Sequence, residues 1–377
     1  MDSISFKYFM PTRVIMGRDC ISKNSKIFRT LGTKALLVTG ARSAKENGSQ
    51  QDVIAALEKE GISYYIFDRV MSNPSISCVY EGAHIAKEEK VDFIIAIGGG
   101  SPMDAGKAIA LLAVQDIPEE ELFNRTREDK ILPLAVVPTT AGTGSEVTQY
   151  SVLTNEKAET KTSIANPILF PKVAFLDAKY MENLAVDTTI NTAIDALSHA
   201  VEGFLSVRAS AMTDILALES LRLITACFPD LKRFRKSQGS GEFPLAKREQ
   251  LLYASYLAGI VIAQTGTTAV HSMGYSLTFF KGVDHGRANG LLLGEYLKFI
   301  EQKQREPVAK MLSAMDLATA QDFQLLLNEL LGEEKETVSS EEINHYCQIA
   351  IRAKNIDSGI VKLGLEDIRH IFEQSLK

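Results

Sequence analysis

The 377-residue sequence predicts an α/β domain followed by an all-helical domain. In the first half, short apolar segments rich in β-branched residues alternate with segments that have the 3.6-residue helical period. After about residue 180 the strand-like segments end, and the apolar runs become longer and helical. Because this length exceeds one ordinary core, we predict two domains, residues 1–180 and residues 181–377.

The N-terminal domain is predicted to contain a parallel sheet with helices on its faces. We expect strands at 33–40, 62–67, 91–98 and 133–139, and helices at 50–61, 78–90 and 104–114. Residues 151–178 form a more irregular stretch of extended segments and turns. Strands that alternate with helices favour parallel pairing, and ligands bind such sheets beyond the carboxyl ends of the strands.

The C-terminal domain is predicted to be a set of helices separated by polar breaks. The breaks lie at 237–243, 281–286 and 332–340, and a buried helix is expected over 189–206. The short basic cluster at 231–236 indicates a solvated helix end. We see no internal repeat.

Composition excludes several classes of protein. Hydrophobic residues make up 45% and charged residues 23%, which is typical of a globular chain. A net charge of -6 gives no general attraction to nucleic acid or to an anionic membrane. Neither a signal peptide nor an apolar run of membrane-spanning length is evident, so we expect a cytoplasmic protein. The four cysteines lie far apart without a CxxC spacing, and we expect them to be reduced.

Two loops favour a nucleotide-binding crevice. Gly98, Gly99 and Gly100 separate a buried strand from a helix that we expect Ser101 to cap, so a pyrophosphate could approach the helix N-terminus. The next strand ends in small and hydroxyl residues, namely Thr139, Thr140, Gly142, Thr143, Gly144 and Ser145. If the two strands are neighbours, the loops face one ligand. Turns that bind nothing are the alternative.

Three histidines and one aspartate favour a metal site in the helical half. Asp195 and His199 lie four residues apart on one helix face, His271 lies in an apolar helix, and His285 follows a break. Imidazoles with one carboxylate suit Fe²⁺ or Zn²⁺, and an open position would support Lewis-acid chemistry. For Asp195 and His199 alone, a structural hydrogen-bonded pair is the alternative. All four residues beside a nucleotide crevice favour a metal.

Several long motifs resemble those of the iron-containing (group III) alcohol dehydrogenase family. They are FMPTRVIMG, NPS, IGGGSPMDAGKAIA, VVPTTAGTGSEVT, AIDALSHAVEGFLS and DHGRANGLLLG, and they span nearly the whole chain. The resemblance implies an N-terminal dinucleotide-binding domain, a C-terminal metal-binding domain with a dehydroquinate synthase-like architecture, and an active site in the cleft between them. It also implies reversible hydride transfer between a primary alcohol and NAD(P), and a homodimer.

The same resemblance implies roles for particular residues. Asp195, His199, His271 and His285 would be the metal ligands, usually for Fe²⁺, with Zn²⁺ as the other option. The implied cofactor contacts are Asn73, Gly99, Gly100, Ser101, Asp104, Thr139, Thr140, Ser145 and Lys161. A plain Asn-Pro turn is the alternative for Asn73, and a solvated lysine is the alternative for Lys161.

The sequence departs from the family pattern at two positions. Many members have Asp at the end of the first strand of the series, where this chain has Gly40, followed by Arg42 and Ser43. Losing a carboxylate and gaining a cation should relax discrimination against a 2'-phosphate, so we expect NADP or dual use. Where many members have a proton-relaying His, this chain has Tyr275, whose ordinary pKa of about 10 suits a relay less well. Water could relay the proton instead, or Tyr275 could only shape the pocket.

Three other functions compete with the alcohol dehydrogenase. They are a zinc polyol dehydrogenase of the glycerol type, a lyase resembling dehydroquinate synthase that uses NAD transiently, and a non-catalytic nucleotide-binding protein. The first two classes usually have fewer histidine ligands, and the synthase set starts from Glu. One Asp with three His therefore favours the alcohol dehydrogenase.

Overall fold

The computed structural model describes residues 5–124, 128–239, 243–332 and 336–376. The chain forms two compact units. The N-terminal unit is Met10–Leu184, and the C-terminal unit is Ala185–Lys377 together with Met1–Phe9. No helix in the described ranges combines the length and the apolar character that crossing a bilayer requires.

The N-terminal unit is built on a six-stranded parallel sheet, in which Arg13–Met16 is at one edge, followed by Val173–Leu176, Leu134–Pro138, Phe93–Gly98, Lys34–Thr39 and Ser63–Phe67. Its strands are β1 Arg13–Met16, β2 Lys34–Thr39, β3 Ser63–Phe67, β4 Phe93–Gly98, β5 Leu134–Pro138 and β8 Val173–Leu176, while β6 Tyr150–Asn155 and β7 Thr160–Ala165 pair in an antiparallel hairpin. The central strands β4 and β5 are buried throughout. Strands buried on both faces need apolar residues at every position, as these sequences have.

Helices cover this sheet, so the predicted α/β class is confirmed. They are α1 Cys20–Lys23, α2 Ser43–Glu46, α3 Ser49–Lys59, α4 Ile76–Glu88 and α5 Gly100–Leu112. One detail of the prediction was wrong, because Gly99 rather than Ser101 is the N-cap of α5. The glycines let the chain turn into the helix early, and Gly98 has a φ of 147° that a side chain would strain.

Two strands of the main sheet lie in segments that the sequence left unassigned. Strand β1 was not predicted, and β8 belongs to the stretch 151–178 that we expected to be irregular. Both strands have four residues. Hydrophobic periodicity is a weak signal over so short a segment, and pairing between β1 and β8 is a contact between distant parts of the chain.

The C-terminal unit is mostly helical, as predicted. Its helices are α6 Val186–Phe204, α7 Ala211–Thr225, α8 Phe228–Lys236, α9 Leu245–Thr265, α10 Ala269–Lys281, α11 His285–Lys303, α12 Arg305–Ala314, α13 Ala320–Leu331, α14 Ser340–Ala350 and α15 Leu365–Leu376. The basic cluster ends α8. Parts of two predicted breaks, residues 240–242 and 333–335, lie outside the described residues.

Glycines let α11 approach α6 closely. A Cβ atom at Gly286 would lie 2.6 Å from the carbonyl carbon of Asn191, and one at Gly290 would lie 2.6 Å from Cγ2 of Ile194. Ordinary carbon–carbon contacts are about 3.5–4.0 Å, so a side chain at either position would force the helices apart. This close packing positions the beginning of α11 beside the middle of α6.

Candidate active site

Three helices of the C-terminal unit bring the four predicted metal ligands together. Asp195 and His199 lie one turn apart on α6, His271 is the third residue of α10, and His285 is the first residue of α11. The first three residues are buried, with 3%, 5% and 2% of their surface exposed. Buried polar side chains need polar partners, and in this site the polar side chains lie close to one another.

The ligand atoms converge at distances that suit a cation. One ligand atom each from Asp195, His199 and His271 lies within 4.8 Å of the other two. The Nε2 atoms of His199 and His271 are 3.0 Å apart, and Nε2 of His285 is 3.9 Å from Oδ1 of Asp195. Bonds of about 2.0–2.2 Å from one divalent metal ion require ligand atoms at this separation. The donor set of imidazoles and one carboxylate therefore fits Fe²⁺ or Zn²⁺.

Two further buried residues contact this site, and sequence analysis did not single them out. Glu202 has no exposed surface, and its Oε2 accepts a hydrogen bond from Nδ1 of His271. Asn289 is also fully buried, and its Nδ2 donates to Oδ1 of Asp195 at 3.1 Å. Helical spacing was the available signal, since Glu202 lies seven residues after Asp195 and Asn289 lies four residues after His285.

The contacts of Glu202 favour its ionised form. Burial acts to raise the pKa of the carboxyl, but attraction to His271 and hydrogen bonds from His271 and Thr268 outweigh burial, and the pKa lies below its usual value. The site therefore contains two carboxylates, Asp195 and Glu202, beside three histidines. A divalent cation bound by neutral imidazoles would balance those two negative charges.

Tyr275 forms one wall of the site. Its ring stacks on that of His285 with centroids 5.4 Å apart, and it meets the edge of His271 at 6.3 Å. The residue that replaces the family's relay histidine is thus next to two of the predicted ligands.

In the N-terminal unit, the two predicted nucleotide loops are neighbours. Gly98 and Pro138 are paired residues of β4 and β5, so both loops leave the same edge of the sheet. A Cβ atom at Gly99 would lie 3.1 Å from Oγ1 of Thr140, and one at Gly100 would lie 2.7 Å from Cγ2 of Thr143. The glycines are needed here because the second loop packs directly against the backbone of the first. Thr139 is buried, and its N–H donates to the carbonyl of Gly98.

A buried lysine holds the second loop in place. Nζ of Lys107 donates to the carbonyl and hydroxyl oxygens of Ser145, each at 2.7 Å, and to the carbonyl of Tyr150 at 2.8 Å. Burial lowers the pKa of Lys107 to about 8, against the attraction of Asp104 and Glu146. Burial likewise raises the pKa of Glu146 to about 7. Buried charged groups stabilise a loop only when their hydrogen-bonding atoms all have partners, as in a connected network.

Two of the predicted cofactor contacts belong to this network. The carboxylate of Asp104 accepts hydrogen bonds from the hydroxyl of Ser145 at 2.6 Å and from the N–H of Val152 at 3.1 Å. Burial raises the pKa of Asp104. In the structure, Asp104 therefore ties α5 to the second loop and to β6.

The other predicted cofactor residues lie around the same edge. The N–H of Asn73, which has a left-handed φ of 57°, donates to the hydroxyl of Ser101 at 3.1 Å. Lys161 pairs with Thr154 in the hairpin, and the hydroxyl of Thr154 donates to the carbonyl of Asn73. Gly40 follows β2, the strand next to β4, and Arg42 after it is exposed.

The α/β fold with its glycine turn and the candidate metal site in the helical part are typical of a class of protein, the metal-dependent oxidoreductases that bind a dinucleotide. A family model described as iron-containing alcohol dehydrogenase matches residues 11–178. A second, described as the C-terminal part of the Fe-containing alcohol dehydrogenase family, matches residues 189–376. The chain belongs to the iron-containing alcohol dehydrogenase family.

Individual relatives agree with this assignment. The chain is 35% identical to the 1,3-propanediol dehydrogenase of Citrobacter freundii over 78% of this chain and 75% of that protein. It is 31% identical to the NADPH-dependent butanol dehydrogenase of Clostridium saccharobutylicum over 83% and 78% of the two chains. The crystal structure of an iron-containing alcohol dehydrogenase from Thermotoga maritima has a TM-score of 0.89 and 37% identity, with 99% of each chain covered.

These matches confirm the main functional prediction. The chain is an oxidoreductase, an NAD(P)-dependent alcohol dehydrogenase. The polyol dehydrogenase, the synthase-like lyase and the non-catalytic nucleotide-binding protein are not favoured.

Proposed function

We propose that Asp195, His199, His271 and His285 bind one divalent cation at which a primary alcohol is oxidised reversibly to its aldehyde. The observation that carries the proposal is the convergence of buried acceptor atoms, with the Nε2 atoms of His199 and His271 only 3.0 Å apart. Two imidazole nitrogens this close need a proton or a cation between them. When bound, such a cation supplies Lewis-acid polarisation of the alcohol or carbonyl oxygen.

When bound, the oxidised nucleotide would accept a hydride, and with it two electrons, from the alcohol carbon, and the hydroxyl proton of the alcohol would be released to solvent. The protein's own residues hold the reacting atoms and exclude water. Asn289 steadies Asp195 through its amide, since it donates at 3.1 Å. The Tyr275 ring, which stacks on that of His285, is proposed to shape the pocket for the alcohol.

For the metal, Fe²⁺ is the first choice and Zn²⁺ the second. Three histidines and one carboxylate suit both ions, and the carboxylates of Asp195 and Glu202 match a charge of two. For the substrate, the propanediol and butanol named for two relatives support a short primary alcohol or aldehyde.

The N-terminal unit is proposed to be the dinucleotide-binding domain, and the C-terminal unit the metal-binding domain. The glycine turn before α5 would receive the pyrophosphate at the helix N-terminus, with Thr140 and Thr143 close to the glycine backbone. The residues implied as cofactor contacts lie along the same sheet edge or beside it. We further propose NADP or dual use, because Gly40 offers no carboxylate against a 2'-phosphate and Arg42 offers a cation.

We also propose that the protein is a cytoplasmic homodimer. Strand β1 is at the end of the sheet order, and an open strand edge is a ready pairing surface. Exposed apolar side chains lie on and before this strand, with Met16 at 40%, Phe6 at 50% and Phe9 at 56% exposure. Sedimentation velocity will give the mass of a dimer if the proposal is correct and that of one chain if it is wrong.

The decisive experiment measures metal and turnover together. The protein is purified without chelator, its metal is identified, and aldehydes are screened with NADH and NADPH in parallel. We expect chelation to abolish turnover, Fe²⁺ or Zn²⁺ to restore it, and His271→Ala to lose turnover and to bind metal much more weakly than the wild type. His84→Ala is the control, since His84 is an exposed histidine paired with Glu88. Full metal content and full rate in His271→Ala would refute the ligand assignment.

A further inference from the structure

We propose that Glu202 is a positioning residue of the metal site, whose carboxylate fixes the proton of His271 on Nδ1 and so presents a proton-free Nε2 to the cation. The inference rests on the metal site proposed above and adds a residue that is not itself a ligand. Its basis is the set of contacts that the two carboxylate oxygens make with the first turn of α10.

One oxygen of Glu202 caps helix α10 from a neighbouring helix. Oε1 accepts hydrogen bonds from the N–H of Thr268 at 2.9 Å, the hydroxyl of Thr268 at 2.8 Å and the N–H of Val270 at 2.9 Å. N–H groups at the beginning of a helix have no acceptor within that helix, and here the carboxylate of Glu202 provides one. Because Glu202 lies on α6, this cap joins the helix that carries Asp195 and His199 to the helix that carries His271.

The other oxygen determines which ring nitrogen of His271 holds the proton. Oε2 faces Nδ1 of His271 within hydrogen-bond distance. With three donors already on Oε1, the carboxylate is the acceptor of this pair as well, so Nδ1 is the donor and the neutral imidazole has a lone pair on Nε2. That Nε2 lies 3.0 Å from Nε2 of His199 and 3.8 Å from Oδ1 of Asp195, among the proposed ligand atoms. A carboxylate partner of this kind also makes the ligating nitrogen more basic.

Glu202→Gln separates these two roles without changing the size of the side chain. The amide oxygen can still accept from Thr268 and Val270, so the helix cap is retained. The amide NH₂ then faces Nδ1 and donates to it, which moves the imidazole proton of His271 to Nε2. A proton at Nε2 points at the cation site and opposes binding. If Glu202 only connected the two helices through hydrogen bonds, Glu202→Gln would leave the metal affinity unchanged.

The test measures Zn²⁺ affinity by competition with a chromophoric chelator. Loss of an outer carboxylate partner typically weakens metal binding by about 10- to 100-fold, and we expect that loss for Glu202→Gln. In a His271→Ala background the same substitution should cause no further loss, because Glu202 acts through His271. Glu60→Gln is the matched control. Glu60 is a carboxylate with 7% exposure that accepts from Ser25 at 2.7 Å in the N-terminal unit.

The outcomes separate this inference from the proposed function. If the wild type binds no Zn²⁺, or if His271→Ala binds it as tightly as the wild type, the metal site itself is refuted. If those two proteins behave as expected but Glu202→Gln binds within about twofold of the wild type, Glu202 has no positioning role. Additive losses in the double variant would likewise overturn the role assigned to Glu202.

A second measurement uses the wild type and does not depend on how Glu202→Gln folds. Long-range ¹H–¹⁵N spectra of the metal-free protein distinguish protons on Nδ1 from protons on Nε2, and the chain has only six histidines to assign. The signals lost in His271→Ala belong to His271. At about pH 8.5, well above the ordinary histidine pKa of about 6.5, we expect the proton of His271 on Nδ1. A proton on Nε2 would overturn the inference.

Discussion

Replacing Gly286 by alanine tests whether close helix packing builds the metal site. The added methyl group would lie 2.6 Å from the carbonyl carbon of Asn191 and 3.2 Å from Cβ of Asp195. Ordinary contact between carbon atoms needs about 3.5 Å or more, so α11 would have to move roughly 1 Å away from α6. His285 is the residue before Gly286, and it would move away from Asp195 with the helix.

The expected loss of stability follows from two opposing effects. Overpacking a tight site costs about 1–3 kcal/mol, and the rigid backbone of Asn191 places this substitution at the upper end. Alanine is favoured over glycine in a helix by about 1 kcal/mol, which offsets part of the cost. A net loss of about 2 kcal/mol corresponds to a fall in Tm of roughly 4–8 °C for a unit of this size. Separating His285 from the other ligands should also weaken Zn²⁺ binding at least about tenfold.

Calorimetry of the metal-free protein and chelator competition measure the two effects. Gly290→Ala is a graded comparison, because its methyl group would meet side-chain atoms of Ile194 and Leu331 rather than backbone, and a smaller loss is expected. Gly364→Ala is the control, because the atom nearest to its added methyl group, Oδ2 of Asp367, would lie at an ordinary 3.5 Å. An unchanged Tm together with unchanged Zn²⁺ affinity in Gly286→Ala would refute the argument that this contact positions His285.

Three further predictions concern the N-terminal unit. Lys107→Met should lower the free energy of unfolding by about 3–5 kcal/mol, because it leaves buried carboxylates without their cation. Thermal unfolding measures this loss, and Lys130→Met, at an exposed lysine, is the control. Gly40→Asp should weaken NADPH binding at least about tenfold while NADH binding is retained, as measured by fluorescence titration. Gly40→Ala is the control for the tight contact at 3.3 Å between a Cβ atom at this position and the carbonyl oxygen of Val70. Equal losses of NADPH binding in both variants would contradict a charge effect. Glu146 has a pKa raised from 4.5 to about 7, so the folded state holds this proton more tightly than the unfolded chain, and the stabilisation present below pH 4.5 is lost as the pH rises through 7. The stability of the wild type relative to Glu146→Gln should therefore fall by on the order of 3 kcal/mol between about pH 5 and pH 8, and a constant difference would contradict the assignment.

The sequence alone determined the α/β class, the four longer strands of the sheet and the helical second half. Those features depend on the period of apolar residues over short windows, which is a local property of the chain. The same period places Asp195 and His199 on one face of α6. His271, in an apolar helical segment, and His285, after a break, joined that pair as further histidines of the helical half, and the resemblance to the family implied the same four residues.

Only the tertiary structure decided which atoms meet. The hydrogen bond from His271 to Glu202 joins residues 69 positions apart, and the bond from Asn289 to Asp195 joins residues 94 positions apart. Neither Glu202 nor Asn289 carries a local signal beyond helical spacing, because a buried glutamate or asparagine is recognised only by its partners. Lys107 also lacked a local signal, because a lysine within an apolar helix pattern does not reveal its partners. Its role depends on the loop that begins after the next strand, to which it donates hydrogen bonds. Local patterns thus determine the helices and strands and which of their faces are buried. Close contacts at glycines and buried hydrogen bonds between distant segments determine which functional side chains meet in the candidate site.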